Sequence, residues 1–367
     1  MPRLASFVAL LGLATLAAGP AARATDAAVA HPDSATEAAL GERMNASTVT
    51  VVTGTPGGTY FRVGADLAFV LDDGDALRIL PILGKGAGEN AYDIRFLKGV
   101  DMGFVRTDTL EQLRQDKRLK AIERHIQFIA KLFDDELHIL APNAIKSVGD
   151  LAGKRVSFDV RGSGTDYSGR AMFRGLGIGV EAINVDQPTA LAMLRKGEIQ
   201  AVVSVAAKPV SVIAGFDPED RFHLVPVPYP ETISEAYVPA SLSQADYPKL
   251  VRGEAVETLA VGTVLGVYNS AKGSPRYEKL VRFVDAFFGQ FDKFLAPQRH
   301  PKWREVNLAA AVSGWTRFRP AQDWLDRHRE PEVAARPDLD RFLQMQPDRP
   351  AGKEEVYQAY LKWRQTR

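Results

Sequence analysis

The chain has 367 residues, 46% of them hydrophobic and 25% charged, with a formal charge of +1 and no cysteine. That length supports two domains with ample core. The near-zero charge argues against a nucleic-acid-binding protein, and the absence of cysteine excludes disulfide staples and a lipoprotein anchor.

Met1 to Ala24 place Arg3 ahead of a 15-residue apolar run, Leu4 to Ala18, and end in a small-x-small site, Ala22-Arg23-Ala24. The run is short for a bilayer span of roughly 20 residues, so residues 1–24 read as a cleaved signal peptide. Its removal takes away two arginines and no acid, leaving −1 on the mature chain, which is expected free in the periplasm. Residues 25–46 are alanine-rich and read as a flexible leader with a short helix over Glu37–Met44.

Thr48 to Thr53 is a β-branched run that suits a buried strand. It breaks into Gly54-Thr55-Pro56-Gly57-Gly58-Thr59, after which Tyr60, Val63, Gly64, Leu67 and Leu71 recur at helical spacing. A strand, a glycine turn and a helix start present backbone N–H groups and a positive dipole end, a setting for an anion. Gly58 is expected to take a backbone shape that a side chain would obstruct, or to lie against the ligand. Residues 155–167, RVSFDVRGSGTDY, repeat the device, with Gly164-Thr165 in the place of Gly58-Thr59. A second pair of segments matches as well: Lys98-Gly99 leads into the strand of Met102–Val105, and Lys196-Gly197 into that of Ile199–Val205. Two elements recurring in one order predict two lobes of similar topology, with helix N-termini converging on a shared cleft.

The segments GTPGGTYFRVGADL, GENAYDIRFLKGVDMGFVRTD and IKSVGDLAGKRVSFDVRGSGTDY resemble the TAXI family, the solute-binding proteins of TRAP-type transporters. The resemblance spans about Thr48 to Asp326. It implies an α/β fold, a two-lobed periplasmic binding protein whose two crossing strands form a hinge. It also implies delivery of a small organic anion to TRAP-type membrane transporter subunits. Lobe 1 is expected over 47–141 and 258–326, lobe 2 over 142–257, and a C-terminal tail over 327–367. Ile122–Phe133 and His138–Ala141 read as the first crossing, and Thr258–Tyr268 as the return. Pro226–Pro248 reads as a surface loop. Trp303, Trp315 and Trp324 are expected to pack on lobe 1.

No HExxH, paired CxxC, EF-hand or Walker loop occurs, and the six histidines are scattered. Ser163 is not in GxSxG, because position 161 is arginine. The expectation is therefore binding, with no catalytic residue, no metal and no cofactor. Two other classes stay open: an exported sensor component signalling to a membrane kinase, and an enzyme on the same scaffold. The expected ligand contacts are Gly57, Gly58, Thr59 and Tyr60; Glu89 and Asn90 at a second helix start; Arg106 and Asp108 at a strand end; Gly162, Ser163, Gly164 and Thr165; and Lys208. The resemblance implies a neutral polar residue where Arg106 stands. Arg106 thus favours a more acidic ligand and is expected to be the main cation facing its carboxylate, with Arg161 and Lys208 as rivals.

Overall fold

The computed structural model describes residues 34–328, apart from 57, 115, 117, 118, 120, 231, 232 and 234. The expected signal peptide, the start of the leader and nearly all of the expected tail lie outside the described residues. The second half of the leader is a helix, α1 (Ser34–Ser47), longer than expected and rich in the strong helix formers Ala, Glu and Leu.

The β-branched run forms β1 (Thr48–Val52), followed by α2 (Thr59–Leu71), β2 (Arg78–Ile82), α3 (Ala87–Phe96), β3 (Met102–Arg106) and α4 (Thr107–Arg114). A four-residue helix, α5 (Ile122–His125), leads into β4 (Ile126–Pro142), a single strand of 17 residues. Two segments were expected there, Ile122–Phe133 and His138–Ala141, with the acidic run Asp134-Asp135-Glu136 between them. The strand continues through it because each acid meets a cation: Lys131 at 2.8 Å from Asp134, Arg106 at 2.7 Å from Asp135 and Lys302 at 2.5 Å from Glu136.

The second half repeats the pattern: β5 (Arg155–Ser157), α6 (Gly164–Gly175), β6 (Glu181–Ile183), α7 (Gln187–Arg195) and β7 (Ala201–Ala206). Then come α8 (Ser211–Ala214), β8 (Phe222–Leu224), β9 (Tyr237–Leu242) and β10 (Val256–Tyr268). β9 corrects the expected surface loop. It pairs antiparallel with β10 on its open side, where Pro239 is tolerated. α9 (Pro275–Gly289) and α10 (Arg319–Arg327) close the described chain.

The sheet runs β2-β1-β3-β10-β4-β7-β5-β6, with β8 on β4 and β9 on β10. Two parallel triplets, β2-β1-β3 and β7-β5-β6, flank the antiparallel pair β10 and β4. β4 pairs with β10 up to Glu136 and with β7 from Glu136 onward. β10 pairs with β9 up to Val261 and with β3 from Thr263. The partners of both long strands therefore change over the same few residues. One apolar cluster, with Val51, Leu67, Phe104, Phe283, Phe287 and Trp303, packs the first triplet. Another, with Ile139, Val156, Phe158, Met172 and Val203, packs the second. Each such fully buried side chain contributes about 1.5–3 kcal/mol. The described residues from Arg43 to His328 belong to one compact unit. Trp303 packs at 4.4 Å, tilted, against Phe294 and donates its indole N–H to Asp66, and Trp315 and Trp324 also pack on neighbouring elements, so all three tryptophans serve packing.

Candidate functional site

Parallel strands leave their C-terminal ends facing the helix starts that follow them, and here two such sets face each other. Between them lies a cavity of about 440 Å³. Its wall includes the starts of four helices: Thr59 and Tyr60 of α2, Gly86 before α3, Ser163 to Thr165 at α6, and Asp186 to Pro188 at α7. Ser163 caps α6 by accepting from Asp166 N at 3.1 Å, and Asp186 caps α7 by accepting from Thr189 N at 3.0 Å. Gly58 and Gly86 stand at the corresponding positions of α2 and α3 and supply no side-chain cap. The first turns of α2 and α3 thus keep donors for another acceptor. Val205, Val210, Val212 and Pro188 give the cavity an apolar side.

The buried charge at this site is Asp135, fully enclosed on β4. Its Oδ2 accepts from Arg106 Nε at 2.7 Å, Tyr60 Oη at 2.5 Å and Thr263 Oγ1 at 3.0 Å. Arg106 also donates through Nη2 to the Val205 carbonyl and, at 3.4 Å, through Nη1 to Ser168. The guanidinium thus reaches from β3 to β7 with its charge met by Asp135. The Tyr60 ring stacks on Phe104 at 5.0 Å. Burial raises its hydroxyl pKa well above the ordinary value; Arg106 opposes that shift and Asp135 adds to it.

The sequence expectations divide into three groups. Gly58, Thr59, Tyr60, Arg106, Ser163, Gly164 and Thr165 are on the cavity wall. Glu89, Asn90, Asp108, Gly162 and Lys208 are not, and Gly57 lies outside the described residues. Asn90 is a clamp: its amide donates to Thr53 O and Phe104 O, both at 2.8 Å, and its Oδ1 accepts from Gly86 N at 3.2 Å. It thereby ties the start of α3 to the ends of β1 and β3. Asp108 is buried and accepts from Tyr237 Oη at 3.0 Å, and burial raises its pKa. Lys208 turns away from the cavity, with Nζ 3.1 Å from Asp246 and 2.6 Å from Ser241 O. Arg161 is exposed and off the wall. Gly58 has φ −78°, which any residue adopts; the obstruction expected there comes from Thr55 O, which would stand 3.1 Å from an added Cβ.

Sequence reading missed Lys85, Asp135, Asp159 and the start of α7. The last had a readable signal, Asp186-Gln187-Pro188, an N-cap residue with proline in the first turn. Asp159, on the wall at φ +63°, has its pKa raised by burial. Among the described residues no group of His, Cys, Asp and Glu is placed to hold a metal ion, and no helix is long and apolar enough to cross a membrane.

A model of the NMT1-like family matches residues 51–314, which include every residue of the cavity wall. The chain belongs to the NMT1-like family. Among solved structures it is similar to a periplasmic transporter at 14% identity and a TM-score of 0.45, covering 76% of this chain and 92% of that one. It is also similar to the GluR0 ligand-binding core of Nostoc punctiforme in complex with L-glutamate, at 18% identity and a TM-score of 0.37, covering 67% and 99%. A third is an amino acid ABC transporter substrate-binding protein from Streptococcus pneumoniae bound to L-arginine, at 11% identity and a TM-score of 0.40, covering 73% and 98%.

In this NMT1-like chain the two sides of the cavity touch directly. A Cβ added to Gly164 would stand 2.6 Å from Arg106 Nη1, and one added to Gly88 would stand 2.6 Å from the Tyr167 ring. Arg106 cannot step aside without leaving Asp135 or Val205. Gly164→Ala is therefore expected to cost about 1–3 kcal/mol of stability through overpacking, read by urea unfolding. An unchanged midpoint would show that the guanidinium is free to move.

Proposed function

We propose that the protein is a TAXI-type solute-binding protein. It is exported by a cleaved signal peptide, captures a small organic anion in the cavity and delivers it to a TRAP-type membrane transporter. The observation that carries this reading is the convergence of four helix starts on one cavity, two of them without a side-chain cap. Backbone donors and helix dipoles suit a carboxylate, and the apolar side suits a carbon skeleton. The protein performs no reaction, and its selectivity is differential binding.

The two lobes are residues 47–141 with 258–326, and 142–257. The hinge lies where the partners of β4 and β10 change, around Asp135–Glu136 and Val261–Thr263, a few residues from the boundaries expected from sequence. Few backbone positions join the lobes there, so closure is a hinge motion around the ligand.

The test is native mass spectrometry of the purified mature protein to identify what co-purifies. Calorimetry with succinate, glutarate, L-glutamate and benzoate follows. Binding of at least one acid is expected, with a melting temperature that rises with the logarithm of its concentration once saturated. Small-angle scattering should then give a smaller radius of gyration with ligand. Failure of all four acids to bind, with no co-purifying anion, would overturn the anion reading; an unchanged radius under saturating ligand would overturn the hinge.

A further inference from the structure

Five charged side chains stand on the cavity wall: Lys85, Arg106, Asp135, Asp159 and Asp186. Arg106 is spent on Asp135, and the other two acids add negative charge. Among the described wall residues, Lys85 is thus the one cation without a buried counter-charge. Its side chain is 55% exposed, and its ion-pair partner is Glu89, one helical turn on, at 3.6 Å and 41% exposed. At that separation, with both ends in water, the pair holds weakly.

The local structure fixes where this pair stands. Gly86 has φ +103°, a conformation that glycine adopts without strain, and it turns the chain directly after Lys85. Asn90 fixes that turn from below by accepting from Gly86 N. Lys85 Cδ and Glu89 Oε2 each lie 3.7 Å from where a Cβ on Gly162 would stand, so the pair spans the seam between the β2–α3 and β5–α6 loops.

We propose that Lys85 is the steering cation of the cavity and that Glu89 holds it in reserve, releasing it to an incoming carboxylate. This rests on the anion reading above. A cation at the rim acts on encounter: it raises the association rate, and salt screens its effect. Glu89 belongs to the same site as the competitor for that cation, which gives it a role opposite to the ligand contact expected from sequence.

Stopped-flow association of succinate, glutarate, L-glutamate and benzoate with the mature protein tests this. Lys85→Gln is expected to lower the association rate constant about 3–10-fold at 20 mM salt. The gap should close by 500 mM, where the screening length is only about 4 Å, and dissociation should change less than association. Glu89→Gln is expected to move the association rate the other way. Both side chains are half in water, so the ligand-free melting temperatures should match wild type, which separates steering from structural damage. If wild type binds an acid and Lys85→Gln associates as fast, or Glu89→Gln also slows association, the assignment of Lys85 is overturned while the anion reading stands. If wild type binds none of the four and no anion co-purifies, both fall.

Discussion

Replacing Arg106 by glutamine is expected to destabilise the ligand-free protein by about 3–5 kcal/mol, the usual cost of removing one member of a buried ion pair. For a chain of this size that is a drop in melting temperature on the order of 10 °C. The reason is Asp135. It is fully enclosed, and Arg106 at 2.7 Å is the cation that meets it. Without the guanidinium, Tyr60 and Thr263 still donate to the carboxylate, but hydrogen bonds from neutral groups do not offset a buried charge. Adding Asp135→Asn to Arg106→Gln removes that charge and should recover much of the loss, which a double-mutant cycle measures. If Arg106→Gln melts with wild type and loses only ligand affinity, the arginine faces the ligand carboxylate and its pairing with Asp135 is incidental.

Acidification gives the second large effect. His138 is fully buried, and burial lowers its pKa to about 4. Its hydrogen bonds suit the neutral ring. Nδ1 lies 3.3 Å from the Ser204 carbonyl, which can only accept, so Nδ1 carries the proton. Nε2 then accepts from Tyr247 Oη at 2.7 Å, and that hydroxyl accepts from Val210 N at 2.8 Å. A second proton on the ring would leave Tyr247 with donors on two sides. The unfolded chain protonates near pH 6.5 and the fold only near pH 4, so between them the unfolded state binds more protons. Stability from this group is complete above about pH 6.5 and falls as pH drops to about 4, by about 3 kcal/mol at 1.36 kcal/mol per unit. Buried acids such as Asp108, raised by burial, titrate with the opposite sign, so His138→Gln is the reference. The stability gap between wild type and variant should narrow by about 3 kcal/mol from pH 7 to pH 4, followed by urea unfolding. A gap independent of pH would show that His138 does not titrate between those limits. Ser204 and Val210 line the cavity, so the same proton is expected to weaken ligand binding.

Much of the architecture was readable because it is local. A β-branched run, a glycine turn and apolar residues at helical spacing specify β1 with α2, and the same pattern marks the α6 device. The repetition of that unit led to the expectation of two halves of similar topology, and the sheet contains two parallel triplets. The site was less legible. Asn90 had the look of a ligand contact, being an amide at a helix start. Its real partners, the carbonyls of Thr53 and Phe104, come from strand ends that no local pattern locates. Lys208 was expected at the end of the strand that parallels the one ending at Arg106, yet its side chain goes to Asp246.

By itself the sequence determined most of the strands and helices, the starts of α2 and α6, and that two similar halves exist. Those properties rest on backbone preferences and periodicities within a few residues of each position. Only the tertiary structure decided which charges the cavity keeps. Arg106, Asp135 and Thr263 stand on β3, β4 and β10, far apart in the chain and adjacent only through strand register. Register is a property of the whole sheet, set by how the apolar faces of both halves pack on the long strands. An arginine that looked free in sequence is therefore neutralised inside the fold, and a lysine that looked like part of a loop is left as the exposed cation of the cavity wall.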